Sequence, residues 1–343
     1  MQERPCTEPT TLSFIQSTFI VSSIRSLRSF NMLLSASLIA GVLSLAAKVT
    51  ADANVGTLGF AVGATNPDGT CKSTDDYVND FNVLKDYTSL IRTYSMSDCY
   101  TLANILPALE STGMTAILGI WAGPGSTYET SFQYELGNLT TYATQYSSAF
   151  TSNVVGITVG SEVLYRGDLT PDELVSRIKE VKTTASGVGY SGMVGTADSW
   201  NMWTNSSNNA VIEAVDLILT NAFPYWQSIG IDSAGSSFFN SISSALASIQ
   251  SVNANAKFYV GETGWPTEGT TLGSAVPSVD NAQQFWKEGV CAMREWGVDV
   301  FVFEAFDEPD KASATSDGGV SSDVESHWGV FTSDFSKKFS LDC

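Results

Sequence analysis

From Leu58 onward the chain alternates between short apolar runs rich in β-branched residues and longer amphipathic stretches, and it does so eight times. The strand-like runs are 57–63, 89–95, 115–121, 154–162, 193–200, 216–222, 257–262 and 298–306. The helix-like stretches between them are 74–87, 101–110, 132–150, 171–184, 210–215, 237–250 and 281–296. Runs this apolar have no polar face to turn to water, so they read as strands covered on both sides, as in a parallel sheet flanked by helices. Eight of them in alternation predict a single (β/α)8 barrel. A doubly wound open sheet would use the same alternation and is the structural alternative. No Pro-, Gly- or Ser-rich linker divides the series. Helix starts are marked, most clearly at Thr170-Pro171-Asp172-Glu173, where Thr caps, Pro takes the first turn and two acids face the positive end.

A barrel gathers its chemistry where strands end. Here the strand ends carry Arg92, Tyr94, Trp121, Glu162, Asp198, Trp200, Asn221, Tyr225, Glu262, Trp265, Glu304, Asp307 and Glu308. Two of these stand out because the same device is used twice. Val154–Leu164 (VVGITVGSEVL) and Lys257–Pro266 (KFYVGETGWP) are both apolar runs broken by glycine just before a glutamate. Glu162 ends the fourth strand and Glu262 the seventh, which sets them across one barrel mouth. Paired carboxylates in that position suit acid/base work on a glycosidic bond, with one protonated and one ionised. Trp121, Trp200, Trp203, Tyr225, Trp226 and Trp265 offer flat apolar faces on which sugar rings could lie.

Other chemistries are poorly served. The one histidine, His327, has no G-x-S-x-G elbow to serve and is read as structural. The sequence Gly187-Val188-Gly189-Tyr190-Ser191-Gly192 matches a dinucleotide fingerprint in letters only, since it follows a helix and precedes a strand, the reverse of the required order. No cofactor and no metal are expected. The formal net charge of −19 disfavours nucleic acid and anionic membrane as partners and fits a neutral substrate.

Residues 1–53 differ from the rest. Arg25 and Arg28 precede an apolar run, 33–47, which ends in small residues at Ala51-Asp52-Ala53. That is the pattern of a secretory signal, with an upstream extension before Met32, so 54–343 is the expected mature barrel. Of five cysteines, Cys6 falls in the leader. The remaining four suggest two disulfides in a secreted chain, with three pairings possible and Cys71–Cys99 with Cys291–Cys343 preferred. Asn138 and Asn205 open glycosylation sequons.

Taken together, NPDGTCK (66–72), VGSEVLYR (159–166), GTADSWN (195–201), NAFPYW (221–226), VGETGWPT (260–267), SVDNAQQFW (278–286), VFEAFDE (302–308) and HWGVF (327–331) resemble the fungal branch of glycoside hydrolase family 17. That branch holds the cell-wall glucan endo-1,3-β-glucosidases and 1,3-β-glucanosyltransferases, and the likeness runs from about Gly56 to Cys343. A secreted monomer is expected, and the resemblance implies an enzyme on cell-wall β-1,3-glucan with Glu162 as proton donor and general base and Glu262 as nucleophile. It implies that Tyr94, Trp121, Asn221, Tyr225, Trp265 and Glu304 line the cleft, with Tyr225 hydrogen-bonding Glu262. It leaves hydrolysis and glucanosyl transfer both open. A wall protein that binds glucan without turnover is the competing class, and xylan or cellulose the competing substrates. Two positions depart from the pattern. Ser161 stands where many relatives place an Asn that binds the sugar 2-hydroxyl, and Asp310 stands where an aromatic is common.

Overall fold

In a computed structural model the chain is described over residues 55–121, 128–311, 314–315 and 321–343. The predicted leader, 1–53, lies outside them. Eight strands run parallel in sequence order and close on themselves: β1 (Leu58–Ala61), β2 (Leu90–Arg92), β3 (Thr115–Ile120), β4 (Val154–Ser161), β5 (Met193–Ser199), β6 (Leu217–Asn221), β7 (Lys257–Thr263) and β8 (Asp299–Val302). Closure is the β1–β8 pairing, with Leu58 opposite Val300 and Phe60 opposite Val302. The predicted barrel is therefore the fold, and the open sheet is not.

Each strand buries both faces, and the two faces feed two different cores. Leu90, Ile117, Ala197, Leu217, Leu219, Tyr259 and Phe301 point inward and fill the barrel. Their neighbours Ile91, Ala116, Leu118, Ile218 and Val300 point outward against the helices. Successive residues of a strand alternate faces, so continuous apolar runs are what a strand needs when neither face is wet.

The helices begin where the sequence marks them. Thr170 accepts from the Glu173 backbone while Glu173 reaches back to Thr170, forming a capping box at the start of Pro171–Gly187. Ser73 and Asp76 repeat the device at Thr74–Leu84. Four readings need correction. The expected helix 132–150 is two helices, Tyr128–Gln145 and Ser147–Asn153. The helix at 281–296 starts at Val279 and passes through a wider turn at Trp286–Cys291. Strand eight stops at Val302, and Trp200 opens a short helix, Trp200–Trp203, instead of ending β5. A small hairpin, Ala314–Thr315 with Ser321–Ser322, has no clear sequence signal.

Both preferred disulfides form. Cys71–Cys99 spans 28 residues and ties the loop after β1 to the segment after β2, and Cys291–Cys343 spans 52 and fastens the C-terminus. Cross-links over loops of this length restrict the unfolded chain by about 3–4 kcal/mol each. Replacing Cys291 and Cys343 together by Ser is expected to lower stability by roughly 2–4 kcal/mol. Thermal melts of the oxidised variant and parent at one pH check this.

Candidate active site

The two glutamates reach the barrel mouth through breaks in strand register. Between β4 and β5 the pairing shifts between Thr158 and Ser161. There Gly160 takes φ +75° and Glu162 itself takes φ +58°. A Cβ on Gly160 would lie 2.7 Å from Val163 Cγ1, on a backbone that already favours glycine. The Glu162 amide is held by the Ala197 carbonyl at 2.9 Å. On the other side, β7 shifts register against β6 between Thr220 and Asn221, leaving Asn221 opposite Glu262. Gly261 has no side chain because Asn221 Oδ1 would sit 2.7 Å and Arg92 Nη1 3.2 Å from its Cβ. Such bulges at a barrel rim re-aim side chains.

Glu262 is buried and ion-paired. Arg92, at the end of β2 and fully buried, sends Nη1 to Glu262 Oε1 (2.9 Å) and to the Gly261 carbonyl (2.8 Å). Its Nη2 donates to Ser161 Oγ at 3.2 Å, and Ser161 Oγ donates to Glu262 Oε1 at 3.2 Å. The Tyr94 ring covers the guanidinium at 4.8 Å. Ser161, the departure noted in the sequence, thus helps to bracket Glu262. Glu162 has a different setting. Burial and then the nearby Glu262 carboxylate push its pKa up to about 7. Asn221 Nδ2, donating to Glu162 Oε1 at 3.1 Å, and the charge of Arg166 oppose that rise, while Asp198 adds to it.

Between them lies a cleft of about 460 Å³ whose lining includes Glu162, Asn221 and Glu262 with Trp200, Phe223, Trp226, Phe303 and Glu325. Of the six rings proposed as sugar platforms, Trp200 and Trp226 line it, and Trp121 stands exposed at the end of β3 with Arg166 over its face at 5.5 Å. The other three are core. Trp203 is buried, Trp265 is buried with its indole donating to the Val276 carbonyl (3.0 Å), and Tyr225 is fully buried among Trp226, Trp265 and Trp328. The Tyr225 hydroxyl donates to the Thr270 carbonyl at 2.6 Å, so its one proton is not directed at Glu262 as expected. Glu304 is also buried, bonded to Lys311 at 2.7 Å, with burial and Glu308 raising its pKa. Tyr94 serves beneath Arg92 instead of on the cleft wall.

Sequence reasoning missed Phe223, Phe303 and Glu325 as lining residues. Phe223 and Phe303 sit one or two positions past a strand end and were inside quoted motifs, so strand-end position could have found them. Glu325 comes from the turn Val324–His327, far from any strand end. His327 acts through its carbonyl, which accepts from both the amide and the hydroxyl of Thr267. Of the sequons, Asn205 is exposed, whereas Asn138 is buried in a helix with its amide donating to the Tyr134 carbonyl, which argues against its use.

Residues 59–329 match the family described as BtgE/BtgC glycoside hydrolase domain. The chain is also similar to a crystal structure of a glycoside hydrolase family 17 β-1,3-glucanosyltransferase from Rhizomucor miehei, with 32% identity and a TM-score of 0.70 over 83% of this chain and 97% of that one. The chain belongs to glycoside hydrolase family 17. A curated relative, the glucan 1,3-beta-glucosidase of Saccharomyces cerevisiae, is 48% identical over 298 residues, 84% of this chain and 92% of its own. An active-site mutant of the Rhizomucor enzyme in complex with laminaritriose aligns with a TM-score of 0.70 at 31% identity, over 84% of this chain and 98% of that one.

In this family 17 barrel, Arg92 is the buried cation on which Glu262 depends. Removing one partner of a buried ion pair strands the other, at about 3–5 kcal/mol. Arg92→Met is therefore expected to lower unfolding stability by roughly that amount, read from denaturant midpoints at unchanged slope.

Proposed function

We propose that the protein is a secreted retaining glycosidase that cleaves internal β-1,3 bonds of cell-wall glucan through a covalent glycosyl-enzyme. The observation that carries the reading is the contrast between two carboxylates in one cleft. Glu262 is ion-paired with Arg92, and Glu162, facing Glu262 with no direct cation partner among the described residues, is pushed up to about 7. Retaining cleavage needs that division of labour. Glu162 passes its proton to the bridging oxygen as the bond to the anomeric carbon breaks. Glu262 attacks that carbon and forms a glycosyl ester. Glu162, now a carboxylate, takes a proton from water or from a hydroxyl of a second glucan, and the new C–O bond releases Glu262.

The β-1,3-glucan assignment is supported by the named activities of the relatives. Trp200 and Trp226 supply flat walls, and Asn221 lines the same cleft with its amide nitrogen on Glu162. Two disulfides support an oxidising, extracellular setting. Transfer to a glucan acceptor is a second reading, favoured by the structural likeness to the Rhizomucor glucanosyltransferase.

Incubation with a reduced laminari-oligosaccharide, with products sized by mass spectrometry, is expected to give shorter chains. Longer chains at high substrate would mark transfer. Glu162→Gln and Glu262→Gln should yield neither while still binding laminarin. An unchanged oligosaccharide with the parent protein would sink the enzyme reading in favour of a glucan-binding protein, and faster cleavage of xylan or cellulose in the same assay would overturn the substrate.

The active form holds Glu162 protonated, so kcat/KM should fall as pH rises past about 7. The Asn221 amide favours the ionised form of Glu162. Asn221→Ala should therefore move the basic limb to higher pH while lowering kcat. A limb that stays or moves down would contradict this assignment.

A further inference from the structure

Asp198 is a fully buried carboxylate at the end of β5 that the chemistry above does not use. It does not line the cleft. Its oxygens accept three backbone N–H groups: Leu164 on Oδ2 at 2.9 Å, and Tyr165 (3.2 Å) and Ser199 (2.8 Å) on Oδ1. Leu164 and Tyr165 belong to the turn that begins at Glu162. That turn starts from a non-glycine residue at φ +58°, a conformation costing about 1–2 kcal/mol that persists only where the surroundings impose it. The restraints here are the Ala197 carbonyl on the Glu162 amide and the Asp198 carboxylate on the Leu164 and Tyr165 amides.

The same carboxylate is an electrostatic neighbour of Glu162. The groups facing Glu162 are Glu262 from β7, Asp198 from β5, the Asn221 amide from β6 and Arg166 from its own turn, where Arg166 is paired with Asp168 at 2.8 Å. Two of these are anions that favour a protonated Glu162. Burial, opposed by the three N–H bonds and by Arg166, raises Asp198 itself to about 6. Three N–H donors on its two oxygens suit the ionised carboxylate.

We propose that Asp198 is the positioning residue of Glu162: it holds the Glu162–Tyr165 turn through backbone N–H groups and sets a buried negative charge beside the proton donor, fixing the aim of that carboxyl and favouring its protonated form. The inference rests on the reading of Glu162 as proton donor. An asparagine at 198 removes the charge and turns an NH2 group toward a backbone N–H, so one arm of the clamp is lost.

The test is Asp198→Asn, compared with the parent by pH profiles of oligosaccharide cleavage and by carbon-13 titration of the Glu162 carboxyl, assigned by its loss in Glu162→Gln. The expected result is a fall in kcat of about tenfold or more with KM within roughly twofold. The basic limb and the Glu162 titration should both move to lower pH. Lost turnover with an unmoved limb and an unmoved titration would overturn the proposal and leave Asp198 a structural cap. If Asp198→Asn does not fold, Asp198→Ser, which keeps an acceptor without the charge, is read by the same two measurements. The titration reads the coupling whatever Glu162 does in catalysis, whereas full turnover in Glu162→Gln would overturn the donor role itself.

Discussion

The arrangement depends on one buried cation. Arg92 has lost all contact with water, and a guanidinium so placed is tolerable only with acceptors on its donors and a partner charge. Its acceptors come from two other strands: Gly261 and Glu262 on β7 and Ser161 at the end of β4. None of these strands neighbours β2 in the sheet, so the cluster exists only when the barrel is closed. Closure and the bracketing of Glu262 are one event, and the carboxylate is preorganised as a consequence of the fold.

From that cation follows the difference between two residues that look alike in the sequence. Glu162 and Glu262 both follow a glycine-marked break at a strand end, yet only Glu262 touches Arg92. Glu162 looks instead toward Glu262 and Asp198, and its carboxyl accepts from the neutral Asn221 amide. Burial with like charges nearby raises a carboxyl; burial beside a guanidinium compensates the charge. Equivalent positions in the strand pattern thus acquire opposite surroundings, a cation at Glu262 and anions at Glu162, from residues that are distant in sequence.

That distance explains what could be read from the sequence. The barrel was legible because every strand is covered on both faces and must be apolar throughout, as in β6, where Leu217 and Leu219 point in and Ile218 points out. The glutamates were legible because glycine marks the bulges that aim them. Side-chain direction in the loops was not. Trp265 and Tyr225 follow strand ends just as Trp226 does, but they turn into the layer around Phe285 and Trp328 while Trp226 faces the cleft. Nothing in local composition separates an indole that packs from one that lines a wall. Glu325 was hidden for a related reason, since it reaches the cleft from a turn outside the strand–helix repeat.

The bulges carry a further physical consequence. In a regular strand the face on which a residue emerges is set by its parity, and an odd slip sends it to the opposite face. A bulge breaks that rule locally, so the positions of Glu162 and Glu262 are fixed by what holds the irregular backbone and no longer by the ladder. At Glu262 the holders are Arg92 and the close approach of Asn221 to Gly261. At Glu162 they are the Ala197 carbonyl and Asp198. The first set is built around a charge opposite to that of its glutamate and the second around a charge of the same sign. Each support therefore does two things at once, fixing where the carboxyl points and setting the sign of the charge beside it, and that sign differs between the two glutamates.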